Sequence, residues 1–87
     1  MIEKVKLTAL IEYINWNYIN NLYNFRELKK YGSAFKTKHP KIDFIKNATL
    51  EELSDEDKEI LKLALKEGQI IPRKEYREKL MNFFFEK

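Results

Sequence analysis

The sequence predicts an all-α fold: a small bundle of four to five helices with a long N-terminal helix and a C-terminal helical hairpin. Apolar residues recur at every third or fourth position over long stretches of the 87 residues, which is the period of a helix packed on one side. No segment alternates between apolar and polar residues over a useful length, so strands are not required. With 44% hydrophobic residues and only two glycines and two prolines, residues 1–87 are predicted to form a single helical domain.

The first thirty residues predict a central helix that is apolar on two sides. One stripe contains Leu7, Leu10, Ile11, Ile14, Tyr18, Leu22, Phe25 and Leu28, and the opposite side contains Val5, Trp16, Ile19 and Tyr23. Asn24 with an acid three residues later has the spacing of a helix start. Two interpretations therefore stay open: one continuous helix, or two collinear helices with a break near residues 20–24. Gly32 predicts the C-terminal end.

A basic loop is expected next. Pro40 disfavours helical geometry at His39, and residues 33–41 show no sustained period, so we expect an exposed loop there. A short helix over residues 41–47 would place Ile42 and Ile45 on one side.

Capping signals predict the remaining helices. Residues 49–52 have the residue types of a capping box, and Ser54 precedes three consecutive acids, which the positive end of a helix dipole favours in the first turn. A helix over residues 55–67 follows and stops at Gly68. Pro72 stands where a first helical position is expected and opens a last helix.

Residues 60–80 are similar in spacing to the first half of a helix-turn-helix or winged-helix module, with Ala64 and Gly68 at the right separation. Four polar residues fall where that motif usually needs apolar ones: Glu67, Gln69, Lys74 and Arg77. A plain helical hairpin is the preferred interpretation, and no family is assigned.

The residue composition argues against catalysis and against a metal or cofactor site. There is no cysteine, His39 is the only histidine, and no nucleophile is paired with a base, so we expect no zinc site, no cofactor, no small-molecule substrate and no enzyme. A calcium loop starting at Asp55 fails because Ile60 and Lys66 replace its glycine and its bidentate acid. The longest uncharged stretch, residues 13–25, contains five asparagines, so we expect a cytoplasmic protein without a membrane span.

Charge is unevenly distributed around a net value of +3. Residues 26–46 contain seven basic and two acidic residues, and residues 47–67 contain seven acidic and three basic ones. The basic part can bind the acidic part, a phosphate or an acidic protein. Its candidate binding residues, together with those of the last helix, are Lys36, Lys38, His39, Lys41, Arg73, Lys74 and Arg77.

The aromatic residues indicate a covered surface. Consecutive helical residues point about 100° apart, so the run from Phe83 to Phe85 cannot face one core from one side of a helix. We therefore expect self-association as a homodimer or docking on a protein partner. The candidate residues are Trp16, Tyr23, Phe83, Phe84 and Phe85.

These observations favour a non-enzymatic small accessory or inhibitor protein that docks on a larger protein. The wealth of Lys, Ile and Asn suggests AT-rich coding and an origin in a phage or mobile element. The alternative hypothesis is a dimeric nucleic-acid-binding regulator that uses the basic loop and the last helix.

Overall fold

The computed structural model describes residues 2–32 and 38–85, which form five α-helices and a two-stranded antiparallel sheet. Their order is α1 (Leu7–Leu10), β1 (Ile11–Ile14), α2 (Trp16–Tyr31), α3 (Pro40–Lys46), α4 (Asp55–Lys66), β2 (Ile70–Pro72) and α5 (Arg77–Phe85). Short 3-10 turns occupy Ile2–Lys4, Leu50–Glu52 and Lys74–Tyr76. The fold is mostly helical, and the all-α prediction is wrong because a strand pair is present.

The long N-terminal helix is not formed, because residues 11–14 pair with a distant strand. Ile14 of β1 lies opposite Ile70 of β2, and beyond the ladder the Arg73 N–H donates to the Leu10 carbonyl oxygen at 2.9 Å. Apolar residues spaced three and four apart indicate the local geometry of a helix. They carry no information about β2, the strand some sixty positions away that stabilises residues 11–14. Tertiary pairing therefore overrides the helical pattern at this point.

Helix α2 is continuous, without the break considered around Asn24. Its N-cap is Asn15, whose Oδ1 accepts a hydrogen bond of 3.1 Å from the Tyr18 N–H. Asn24 lies inside the helix, and its buried Oδ1 has no hydrogen-bond partner in the described ranges. The predicted end is confirmed, since Gly32 adopts the left-handed conformation (φ 72°) that terminates the helix and suits glycine.

The prediction for α4 is confirmed at its start. Ser54 Oγ accepts a hydrogen bond from the Asp57 N–H at 3.2 Å, and the Asp57 carboxylate accepts one from the Ser54 N–H at 3.5 Å. This reciprocal pair is a capping box. The helix ends at Lys66, and Gly68 follows with a φ of 75°.

The short helix predicted over residues 41–47 is confirmed, with each end shifted by one residue. The predicted C-terminal helical hairpin is wrong. Helix α3 runs from Pro40 to Lys46, and Pro40 occupies its first turn. After α4, Ile70 and Ile71 pair with β1 instead of leading into a helix. Pro72 therefore ends a strand, and α5 begins only at Arg77.

One core joins these elements. Its fully buried large apolar side chains come from all five helices and the second 3-10 turn: Leu7, Leu10, Ile19, Ile42, Ile45, Leu50, Ile60, Leu61 and Leu80. The sheet adds Ile11 and Ile70. In the described ranges, no helix has both the length and the apolar character needed to cross a membrane.

Candidate docking surface and a buried polar cluster

Three helices meet around a carboxylate inside the core. Asp57 of α4 has no exposed surface. Its Oδ1 accepts a hydrogen bond of 2.8 Å from the Tyr23 hydroxyl of α2, and its Oδ2 lies 3.3 Å from the Lys41 ammonium of α3. A buried carboxylate is tolerated when it is paired and hydrogen-bonded. The capping acid of α4 is therefore also the group that binds α2 and α3.

Tyr23 is held as a neutral hydrogen-bond donor. Burial of the ring, and after it the hydrogen bond to Asp57, raise the pKa of Tyr23 well above its ordinary value. Both causes disfavour the phenolate, which would place a second negative charge beside the carboxylate. The phenol therefore serves as a structural donor to Asp57.

His39 is the N-cap residue of α3 and belongs to the same cluster. Its Nδ1 accepts a hydrogen bond of 3.1 Å from the Lys41 N–H, its Nε2 lies 3.2 Å from Glu27 Oε1, and its backbone N–H donates to Asn20 Oδ1 at 2.6 Å. Because Nδ1 accepts, we assign the proton to Nε2, which donates to Glu27. The ring stacks on Tyr23 with 5.2 Å between centroids and is only 5% exposed. The histidine that the sequence placed in a basic binding loop is a buried helix cap.

The other loop residues have separate roles. Lys38 Nζ lies 2.6 Å from Asp43 Oδ1, and this hydrogen bond lowers the pKa of Asp43 below its usual value. Lys41 is the cation that faces Asp57. Lys36 lies outside the described residues. The two described lysines are thus engaged by carboxylates of the same chain.

The three predicted binding residues after β2 differ in their contacts within the fold. Arg73 Nε donates to the carbonyl oxygen of Ala9 at 3.0 Å, which links the start of the last segment to α1. Lys74 and Arg77 are exposed. All three predicted binding residues are therefore exposed, and the Arg73 side chain is also hydrogen-bonded within the fold.

The aromatic residues predicted for docking mostly pack within the chain. Tyr23 and Phe84 are buried. The half-buried rings each have a lysine ammonium above them: Lys46 at 5.1 Å from the Trp16 centroid, Lys58 at 5.8 Å from Phe83 and Lys62 at 5.6 Å from Phe85. Lysine stems cover apolar surface while the ammonium stays in water. The phenylalanine run is thus accommodated between the core and α4.

The exposed aromatic surface lies elsewhere, on the second half of α2. Phe25 is 56% exposed, Leu28 43% and Tyr31 70%. Residues three apart on a helix are neighbours, so these three form a strip that we call the α2 face. The sequence pattern assigned Phe25 and Leu28 to a core stripe. The available signal was Lys29, one turn after Phe25 on the same side of the helix, because a cation at that spacing indicates a side that faces water.

A cleft of about 430 Å³ adjoins the α2 face and lies between α2 and α4. Its apolar lining comes from Leu22, Phe25 and Leu63, and its charged lining from Arg26, Lys29, Lys30 and Glu56. We call it the α2–α4 cleft. A second hollow of about 560 Å³ shares Leu22 and Phe25 and is otherwise lined by Asn15, Asn17, Tyr18, Asn21 and Gln69. We call it the amide hollow.

The described ranges contain no group of three or more histidine or acidic side chains arranged to hold a metal ion. No family model matches the chain, and neither the curated proteins nor the solved structures include a significant match.

Proposed function

We propose that this protein is a small non-enzymatic accessory or inhibitor protein that docks on a larger protein through the α2 face. The observation that carries the proposal is the strip of Phe25, Leu28 and Tyr31, three large apolar side chains exposed together on one helix. Contiguous exposed apolar surface is typical of interaction sites, and aromatic residues with arginine supply much of the affinity of protein interfaces.

The surroundings of this strip support a protein partner. Lys29 lies over the Phe25 ring, with 5.4 Å between its ammonium and the ring centroid. Arg26 and Lys30 line the α2–α4 cleft, which adjoins this strip at Phe25. An apolar centre bordered by charge is the usual anatomy of a protein interface.

The alternative, a dimeric nucleic-acid-binding regulator, has less support. Lys38 and Lys41 face Asp43 and Asp57, so phosphate binding by these lysines would have to replace contacts within the fold. Arg73 likewise donates to a backbone carbonyl. Lys38, Arg73, Lys74 and Arg77 are all exposed, and the first two of them make these contacts within the fold.

Site-specific photo-crosslinking tests the proposal. A benzophenone amino acid replaces Tyr31 on the α2 face, and in the matched control it replaces Tyr13, another exposed tyrosine, on β1. Both variants are irradiated in lysate of the source cells. We expect a discrete protein adduct larger than this chain from position 31 and none of that mass from position 13.

Three outcomes would contradict the proposal: adducts with nucleic acid, adducts of equal pattern from both positions, or a cross-linked dimer of this chain alone. Anisotropy of labelled single- and double-stranded oligonucleotides across a salt series checks the alternative independently. A nucleic-acid binder would show log affinity falling with log salt by about 0.7 to 0.9 per phosphate neutralised.

A further inference from the structure

We propose that the partner binds the α2–α4 cleft with an acidic amphipathic helix, whose apolar side chain enters the cleft and whose carboxylates bind Arg26, Lys29 and Lys30. This inference rests on the proposed function and specifies the chemistry of the partner. It follows from the charge, the lining and the length of the groove along α2.

The cleft has an apolar interior and a cationic border. Leu22 and Phe25 from α2 face Leu63 from α4 across it, so an apolar side chain is the group that its interior suits. Cations at positions 26, 29 and 30 lie on the α2 side of the same opening. A ligand that fills both parts must carry an apolar anchor beside negative charge.

The cations of the cleft are incompletely neutralised. Glu56 is the carboxylate in the lining, and its Oε2 lies 4.0 Å from Arg26 Nη1 and 3.8 Å from Lys30 Nζ. Both distances exceed hydrogen-bonding range, and all three side chains are more than a third exposed. Such pairs are weak in water. Carboxylates of a partner can therefore bind these cations at closer distance and replace Glu56.

The groove has the length of a helix of several turns. The amide hollow continues the α2–α4 cleft past the shared residues Leu22 and Phe25. From Asn17 to Lys30, α2 spans about 20 Å at 1.5 Å per residue. Helices bind such grooves with anchors at positions i, i+3, i+4 and i+7. The uncharged amide hollow at one end and the cations at the other would orient the partner helix.

Three stapled helical peptides of about fourteen residues test this chemistry. The first has leucine at i, i+3, i+4 and i+7 and glutamate on its remaining surface; the second replaces glutamate by lysine; the third replaces leucine by alanine. Each is titrated into the full ¹⁵N-labelled chain. We expect the first peptide to shift the amide signals of Phe25, Lys29, Lys30 and Leu63, and the other two to bind at least about tenfold more weakly.

Variants of the chain separate charge at the cleft from net charge. Arg26→Glu with Lys30→Glu should weaken binding of the first peptide by about tenfold or more. The matched control Lys74→Glu with Arg77→Glu makes the same change in net charge on exposed residues elsewhere and should leave binding within about twofold. Glu56→Gln removes the internal competitor and should tighten binding by about two- to fivefold.

Equal binding of the lysine or alanine peptide, shifts away from the cleft, or weaker binding by Glu56→Gln would overturn the inference. Failure of the proposed function looks different. If no peptide binds while position 31 still cross-links to a protein, the inference is wrong and the docking surface stands. If the first peptide binds the cleft but position 31 yields no protein adduct, the docking role of the α2 face is wrong.

Discussion

The Tyr23 hydroxyl donates a 2.8 Å hydrogen bond to Oδ1 of Asp57, and both side chains are buried. The two residues are thirty-four positions apart. Their contact joins α2 to the first turn of α4 at the point where Lys41 of α3 also reaches the carboxylate. Four predictions concern this cluster and the surface next to it.

Tyr23→Phe should destabilise the fold by about 1 to 3 kcal/mol, because it leaves a buried carboxylate oxygen without a donor. Urea unfolding followed by circular dichroism measures the loss. Tyr13→Phe removes an exposed hydroxyl and should change stability by less than about 0.5 kcal/mol. Equal effects of the two substitutions would show that the buried hydrogen bond does not contribute to stability.

The raised pKa of Tyr23 predicts a loss of stability at high pH. The folded state holds this proton more tightly than the unfolded chain does, so the stabilisation is fully present below the ordinary tyrosine pKa of about 10 and is lost as pH rises above it. Unfolding free energies measured at increasing pH should fall more steeply for the wild type than for Tyr23→Phe. Parallel curves for the two proteins would contradict this prediction.

The capping role of His39 predicts different effects of two substitutions. His39→Ala removes the acceptor for the Lys41 N–H and the contact with Glu27, and loss of a cap costs about 0.5 to 2 kcal/mol. His39→Asn keeps a side-chain acceptor at the N-cap and should recover part of that loss. Thermal unfolding compares them, and an asparagine variant no more stable than the alanine variant would rule out capping as the main contribution.

The exposed pair of Lys38 and Asp43 predicts an effect at low pH. Because the hydrogen bond from Lys38 lowers the pKa of Asp43, its stabilisation is present above the ordinary aspartate value of about 3.9 and is lost as pH falls through the lowered folded value. Lys38→Met should raise the Asp43 pKa measured by carboxyl NMR titration. Lys66→Met, at the end of α4, should leave that titration unchanged. An unshifted Asp43 in Lys38→Met would exclude the lysine as the cause.

Local features of this fold are predictable from the sequence because their hydrogen bonds join near neighbours. The capping box of Ser54 and Asp57, the left-handed end at Gly32 and the short helix after His39 all depend on residues within four positions. The sequence also identified the chain as mostly helical. At these points local preference and tertiary structure agree.

The candidate site could be predicted only in part. The sequence singled out aromatic and basic residues as the binding groups, but it could not distinguish the outward Phe25 from the inward Tyr23, since the predicted helix was apolar on both of the sides that carry them. Likewise, the charge pattern could not show that Lys38 and Lys41 face carboxylates of the same chain. Exposure and ion pairing depend on which distant elements pack against α2 and α3.

The sequence by itself therefore determined the end of α2 at Gly32, the short helix α3, the capping box and bounds of α4, and the mostly helical class. The tertiary structure decided that residues 11–14 form a strand, because their partners in β2 lie far along the chain and a strand without its partner has no ladder of hydrogen bonds. It also decided which side of α2 faces water. Burial of Asp57 with Tyr23 and Lys41 turns one side of that helix inward and leaves Phe25, Leu28 and Tyr31 exposed.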